Sequence, residues 1–386
     1  MDRLTNRRIN LAEYASRRTK LESRPRAVFV ELTQNCNLRC WMCRPDALPK
    51  DARMMTEDIF QLVADELFPF AEIIDLRGWG ESLLYPGFRR AVETASRSGA
   101  KVKLYTNLSV DDAMLYECLV EHSVLTTVSF DAATRSRFNR LRRGSDFDLI
   151  MRNLEFLSEE FAKHGRRDLV ELSVTVQGDN LCELDDIVKL ASRLGIPRVR
   201  LFPVICPKSS RAHLDHHRES LPRILDQVAT TGRECGVAVQ LGVAPIDSIA
   251  IPLAVLSDSC IHPWTHCYIA WDGGVGFCDH LIGNQRYILG HIADGLMAAW
   301  NSPRFVRLRS EHASATISAR HAACRWCYGR RYGDTEHELV PEARSRVVCS
   351  SITPILHGSG VQAEQCEFVS GTDIPLPIST NVQTVK

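Results

Sequence analysis

Residues 31–43 read ELTQNCNLRCWMC, placing Cys36, Cys40 and Cys43 within eight residues, directly after the run 27–32 (AVFVEL), which has the composition of a buried strand. Gaps of three and two residues put the three thiols on one short loop, where their thiolates can converge on one centre and leave a coordination position open. A structural zinc site normally closes with a fourth nearby ligand, and no His or Cys lies within the next seventy residues. Three thiolates and an open iron suit an iron–sulfur cluster that binds something at its unique site. An incidental thiol-rich loop or a zinc site is the weaker reading of this spacing.

The surrounding 386 residues, 45% apolar, can bury a large domain and a smaller one. With 47 basic and 47 acidic side chains, no global field favours nucleic acid or an anionic membrane. Residues 1–25 are basic but lack the apolar core of a secretory signal, so they read as a solvated helix. The apolar stretch 235–256 is interrupted by Gln240, Pro245, Asp247 and Pro252, which a bilayer-spanning helix tolerates poorly. A soluble, cytoplasmic chain is expected, and in a reducing compartment its 14 cysteines speak for metal or redox chemistry over disulfides. Cys118, Cys182, Cys206, Cys235, Cys267, Cys349 and Cys366 are scattered and read as small buried hydrophobes or incidental surface thiols.

Short β-branched runs at 27–32, 72–76, 101–105, 125–130, 169–175 and 199–203 alternate with helical patterns such as MTEDIFQLVADELFPFA and FDLIMRNLEFLSEEFAKHG. Six such units predict an α/β fold with a parallel sheet covered by helices. Periodicity does not decide between an open sheet and part of a barrel. In both, ligands gather at the carboxyl ends of the strands, and the three-cysteine loop follows the first.

The triad, with a strand before it and a helix after it, resembles that of the radical S-adenosylmethionine (SAM) enzymes. The resemblance implies that Cys36, Cys40 and Cys43 hold a [4Fe–4S] cluster whose fourth iron is chelated by SAM, and that reductive cleavage of SAM yields a 5′-deoxyadenosyl radical. It further implies a glycine-rich loop after the second strand, met here by RGWGESLLYPGF with Gly78, Gly80 and Glu81, while Trp79 and Ser82 depart from the family's Gly-Gly-Glu-Pro pattern. LYTNLS, with Thr106 and Asn107, and VSFDA, with Ser129 and Asp131, end the third and fourth strands as further SAM contacts, and Met42 stands where the family places a bulky residue near adenine. The likeness covers roughly residues 26–205 and implies a partial (β/α)6 barrel.

A second constellation lies at CIHPWTHCYIAWDGGVGFCDH, where Cys260, Gly273 and Cys278 frame a WDGG turn that predicts a hairpin, followed later by Cys324 and Cys327 in CRWC. Four thiolates can close a tetrahedral site, and spacing alone does not separate zinc from iron–sulfur. Beside a radical SAM core this region resembles the SPASM/Twitch extension, and ILGHIADGLMAAWNSPRFVRLRSEH resembles its linking helix. Glycine at position 333 takes the place of the next SPASM cysteine, so the shorter Twitch form with one auxiliary [4Fe–4S] cluster is implied. His262, His266 and His280 flank the site and read as neighbours of the ligands.

The expected organisation is a basic segment 1–25, a radical SAM partial barrel 26–205, a connector 206–255, a Twitch-like domain 256–335 and a disordered tail 336–386 rich in Ser, Thr, Pro and Gly. The implied activity is a radical SAM oxidoreduction, served by a low-potential donor such as flavodoxin or ferredoxin. The leading expectation for the substrate is a small polar metabolite, a sugar or aminocyclitol alcohol dehydrogenated in antibiotic or other natural-product biosynthesis. The runner-up is maturation of a ribosomally made peptide; a sugar epimerase or decarboxylase and a non-enzymatic metal scaffold are further alternatives. A molybdenum-cofactor-type cyclase fits less well, because its second cysteine group is spaced differently. Neither nucleic acid nor membrane is an expected partner, and no catalytic acid or base stands out.

Overall fold

The computed structural model describes residues 1–43, 53–204, 206, 209–241, 260–278, 281–282, 284–321 and 324. In chain order the elements are α1 (Arg3–Ala15), β1 (Ala27–Val30), α2 (Glu57–Leu67), β2 (Ile73–Asp75), α3 (Phe88–Arg97), β3 (Lys101–Thr106), α4 (Ala113–Glu121), β4 (Leu125–Ser129), α5 (Arg135–Leu141), α6 (Phe147–Lys163), β5 (Val170–Val176), α7 (Leu184–Arg193), β6 (Arg198–Pro203) and α8 (Leu221–Cys235). They continue with β7 (Ala238–Leu241), α9 (His262–Thr265), β8 (His266–Ile269), β9 (Gly274–Gly276), β10 (Gly290–His291), α10 (Leu296–Trp300) and α11 (Pro303–Ala313).

All six expected strands form, and β1 to β7 pair in parallel and in sequence order. The strand chemistry explains the layering. Val28, Val30, Ile74, Leu104, Val128, Leu172, Val174 and Leu201 share one apolar core with the inward faces of α2, α3, α4, α6, α7 and α8. Alternate residues of the same strands, Asp75, Lys103, Thr127, Glu171, Arg198 and Arg200, are also buried but carry polar and charged groups. Four of them meet at one carboxylate: Glu171 accepts from Arg198 at 2.8 Å and pairs with Arg200 at 2.9 Å, and Thr127 donates to it as well.

Residues 206–255 do more than connect. Pro222 stands in the first turn of α8, Gly236 ends that helix at φ 70°, and β7 then pairs with β6, Arg198 opposite Ala238, as a seventh parallel strand. The C-terminal region likewise joins the same sheet. β8 lies parallel to β1, Ala27 opposite His266, and turns back as β9 through Gly273 at φ 90°, the hairpin expected from WDGG. The outer edge of β1 is thereby covered. The expected linking helix is two helices, because Ser302 caps α11 by accepting from Phe305 N at 3.3 Å and Pro303 occupies its first turn.

The reading of residues 1–25 as a solvated helix is corrected. α1 buries Asn6, Asn10, Glu13 and Tyr14. Asn10 donates to Trp264 O at 2.7 Å, and Glu13 accepts from Glu22 N at 2.6 Å, so polar residues on its inner face disguise a packed helix. No helix among the described residues is long and apolar enough to cross a membrane. Residues 336–386, assigned to a tail, lie outside the described residues.

Candidate functional site

The loop after β1 places Cys36, Cys40 and Cys43 at the carboxyl end of the sheet, with Cys43 N bonded to Cys40 O at 3.2 Å. Leu38 N lies 3.4 Å and Asn107 Nδ2 3.7 Å from Cys36 Sγ, and Arg142 Nη1 lies 4.0 Å from Cys40 Sγ. Burial pushes the Cys36 thiol up to about 11, and it pushes Cys40 up against the opposing pull of Arg142. Iron reverses that tendency, since a coordinating thiol is deprotonated outright. Donors aimed at two of the three sulfurs suit a thiolate-held cluster.

The glycine loop runs directly against this turn. A Cβ on Gly80 would stand 2.4 Å from Thr33 O and 2.5 Å from Asn35 O, while Glu81 N donates to Asn35 O at 2.8 Å. At Gly78 a Cβ would meet the Glu31 side chain, whose Oε1 accepts from Trp79 N at 2.9 Å. Both glycines are therefore steric requirements of loop-to-loop contact, and Trp79 is accommodated through its backbone.

Two residues expected to contact the cofactor have side chains engaged within the chain. Glu81 accepts from Asn107 N at 2.7 Å, Thr106 Oγ1 at 2.9 Å and Leu83 N at 3.3 Å, tying the glycine loop to the end of β3. Burial nevertheless pushes its carboxyl above the ordinary range. Asp131 accepts from Thr175 N at 2.7 Å and pairs with Arg142 at 2.8 Å. Asn107 is closer to the expected role, bridging Cys36 and Asn37 Oδ1, the latter at 3.1 Å. Ser129 is half-buried at the end of β4, and Met42 packs towards Val204, Cys206 and Ala212.

Arg142 is the residue missed from sequence. It stands in the basic run RLRRGSD, where it is buried against Asp131 and beside Cys40, and Arg143 O accepts from Arg39 N at 2.7 Å. The available signal was an arginine pair just before Gly144, which takes φ 89°.

At the second site Cys260 and Cys278 are half-buried and Cys324 is buried; Cys327 and His280 lie outside the described residues. His262 Nδ1 stands 3.3 Å from Cys278 Sγ. Among the described residues no three His, Cys, Asp or Glu side chains converge tightly enough to chelate a single ion. A four-iron cluster spreads its cysteine ligands more widely than a single ion does. Of the cysteines read as scattered, Cys118, Cys206 and Cys267 are buried and Cys182 is exposed.

Comparison with known proteins matches residues 30–191 to the Radical SAM superfamily and residues 260–328 to the SPASM iron–sulfur cluster-binding domain. The chain is 30% identical over 302 residues to the mycofactocin maturase MftC of Mycobacterium ulcerans, covering 75% of this chain and 78% of that protein. A GTP 3′,8-cyclase of Clostridium botulinum is 24% identical over 183 residues, 45% of this chain and 56% of that enzyme. Among solved structures, Streptococcus suis SuiB bound to the precursor peptide SuiA has a TM-score of 0.60 at 16% identity, over 80% of this chain and 71% of that one. The enzyme anSMEcpe with bound AdoMet has a TM-score of 0.58 at 16% identity, over 81% and 88%.

The chain is a radical SAM enzyme: it belongs to that superfamily, with the partial barrel and C-terminal SPASM-type region of its class. It accordingly works with a SAM-binding [4Fe–4S] cluster and auxiliary iron–sulfur.

Proposed function

We propose that this protein is a radical SAM maturase that oxidises a ribosomally made peptide. The observation that carries the reading is the alignment with the mycofactocin maturase, which runs through 78% of that protein. It favours the peptide over the small polar metabolite expected from sequence, and SuiB shows that the same fold holds a precursor peptide in at least one case.

In this reading Cys36, Cys40 and Cys43 hold the SAM cluster, and Cys260, Cys278, Cys324 and Cys327 hold one auxiliary [4Fe–4S] cluster. Met42, Gly78, Gly80, Asn107 and Ser129 face SAM, while Glu81 and Asp131 act as positioning groups behind it. When bound, the clusters and SAM supply hydrogen abstraction at carbon and a one-electron sink. Loss of one hydrogen atom and then one electron and a proton from the peptide is a two-electron oxidation. The core of 26–205, extended to Leu241 by β7, then carries the radical chemistry, 206–255 leads onward, and 256–335 carries the sink. A cytoplasmic location and a flavodoxin or ferredoxin donor belong to the same reading.

The test incubates the reconstituted enzyme, SAM and reductant with short peptides encoded beside its gene. A peptide two hydrogens lighter, formed with near-equal 5′-deoxyadenosine, is expected. Unchanged peptides together with dehydrogenation of a sugar or aminocyclitol alcohol would return the substrate to the metabolite class.

A further inference from the structure

The auxiliary region contains a stack of rings that the proposed reaction does not use. His262, 1% exposed, opens α9 with its Nδ1 3.3 Å from Cys278 Sγ. Its ring lies on that of His266 at 3.8 Å between centroids and 24° between planes. His266 lies in turn on Phe29 of β1 at 5.8 Å and 15°.

The hydrogen bonding beneath the stack sets its orientation. Thr265 Oγ1 is 3.1 Å from Ile261 O and 2.6 Å from His266 Nδ1. A hydroxyl has one proton and a carbonyl only accepts. Both contacts are satisfied together when Thr265 donates to Ile261 O and His266 donates its Nδ1–H to Thr265. One tautomer of His266 follows, and its plane fixes the plane of the ring above it. A cysteine sulfur bound to iron is a thiolate, which accepts only, so a ring nitrogen at this distance belongs there as an N–H donor.

We propose that His262 is a redox-tuning residue of the auxiliary cluster: its Nδ1–H donates to the Cys278 thiolate, and His266, Thr265 and Phe29 hold it in that orientation. The proposal rests on the assignment of Cys278 as a cluster ligand. A donor to a ligating sulfur stabilises the reduced, more negative cluster more than the oxidised one, and so raises its reduction potential. The change is in the electrostatics of one-electron uptake; no bond is made or broken. Phe29 ties this orientation to β1, the strand that also launches the Cys36 loop.

The test uses full-length protein in which Cys36, Cys40 and Cys43 are all changed to Ala, so that only the auxiliary cluster reports. After anaerobic reconstitution, iron and zinc are counted and the midpoint potential is read by redox titration monitored by electron paramagnetic resonance. His262→Phe keeps a planar ring without a donor, and His262→Asn places an amide nitrogen at the same remove from Cα as Nδ1. The expected result is a lower potential in His262→Phe, at unchanged iron content, with at least half of the shift recovered in His262→Asn. If His262→Phe loses its iron, a near-parental potential in His262→Asn supports the proposal, and loss of iron in both makes His262 a ligand and overturns it. Equal potentials in all three proteins, or equal shifts in both variants, overturn it while leaving the cluster assignment standing. Zinc in place of iron in the parent, or full iron in Cys278→Ala, overturns the ligand assignment and the proposal with it.

Discussion

The two cysteine sites are built in opposite ways. Cys36, Cys40 and Cys43 share one loop, and charged and amide side chains surround them: Asn107, Arg142 and its partner Asp131, with Glu81 behind. Cys260, Cys278 and Cys324 come from segments farther apart in sequence, and beside Cys278 stands an imidazole, His262, stacked on His266 and through it on Phe29. The first site needs its neighbours to aim a loop. The second is carried on the extension of the sheet past β1, so its formation depends on tertiary packing.

The largest effect separates the sites outright. Changing Cys36, Cys40 and Cys43 together to Ala is expected to abolish 5′-deoxyadenosine formation and halve the iron per chain, leaving the auxiliary cluster. Changing Cys324 and Cys327 to Ala is expected to spare SAM cleavage while lowering thermal stability, because metal binding and folding are coupled in small metallo-domains. Full loss of iron from either variant would show that the sites assemble as one unit.

Next comes the buried charge beside the first site. Arg142→Met leaves the Asp131 carboxylate, fully buried, without its cation. Removing one partner of a buried ion pair costs about 3–5 kcal/mol. The expected result is a chemical-denaturation midpoint lowered accordingly, with weakened SAM binding, since Arg143 O anchors Arg39 N in the cysteine loop. A second change, Asp131→Asn, should recover part of the stability; no recovery would mean that Arg142 acts through the cysteines and not through Asp131.

How much of this was legible in the sequence follows the same division. The triad could be read because its spacing is local, and the strand–helix rhythm because alternation and helical periodicity repeat within each unit. β7 was missed because four residues, Ala238–Leu241, follow a long helix and precede no recognisable partner. The packing of α1 was hidden because three of its four buried positions are the polar Asn6, Asn10 and Glu13, bonded to backbone groups and Ser23, and only Tyr14 is apolar. Arg142 was passed over for the same reason: a charge buried by a carboxylate distant in sequence has no local signature. The hairpin at Gly273 was legible from its turn, but its annealing to β1 is a tertiary choice that no spacing encodes.

A smaller effect tests the contact between loops at the first site. In Gly80→Ala the new methyl group meets backbone, Thr33 O at 2.4 Å and Asn35 O at 2.5 Å, so no side chain can swing aside. Overpacking of this kind costs about 1–3 kcal/mol. Weaker SAM binding by equilibrium dialysis is expected, at unchanged auxiliary iron. An equivalent Gly78→Ala meets Cγ and Cβ of the buried Glu31 at 2.3 and 2.8 Å and should disturb the loop through the Glu31–Trp79 hydrogen bond.

The smallest effect belongs to the second region and is read as a pH dependence. His312 is buried in α11, and burial pushes it down from 6.5 to about 3, with His321 lowering it further, Glu311 opposing and His262 again lowering it. The folded chain thus keeps this ring neutral between about 3 and 6.5, where the unfolded chain takes up a proton. Stability from this residue is complete above 6.5 and is lost as pH falls towards 3, at about 1.4 kcal/mol per pH unit. Between pH 7 and 5.5 the loss from His312 alone is about 1 kcal/mol. In His312→Gln that component is absent, so its unfolding midpoint should fall less than the wild type's over the same interval. Parallel decline of the two proteins would assign the acid sensitivity to other groups, and a steeper decline in the variant would show that the neutral imidazole protects the ring stack around Cys278.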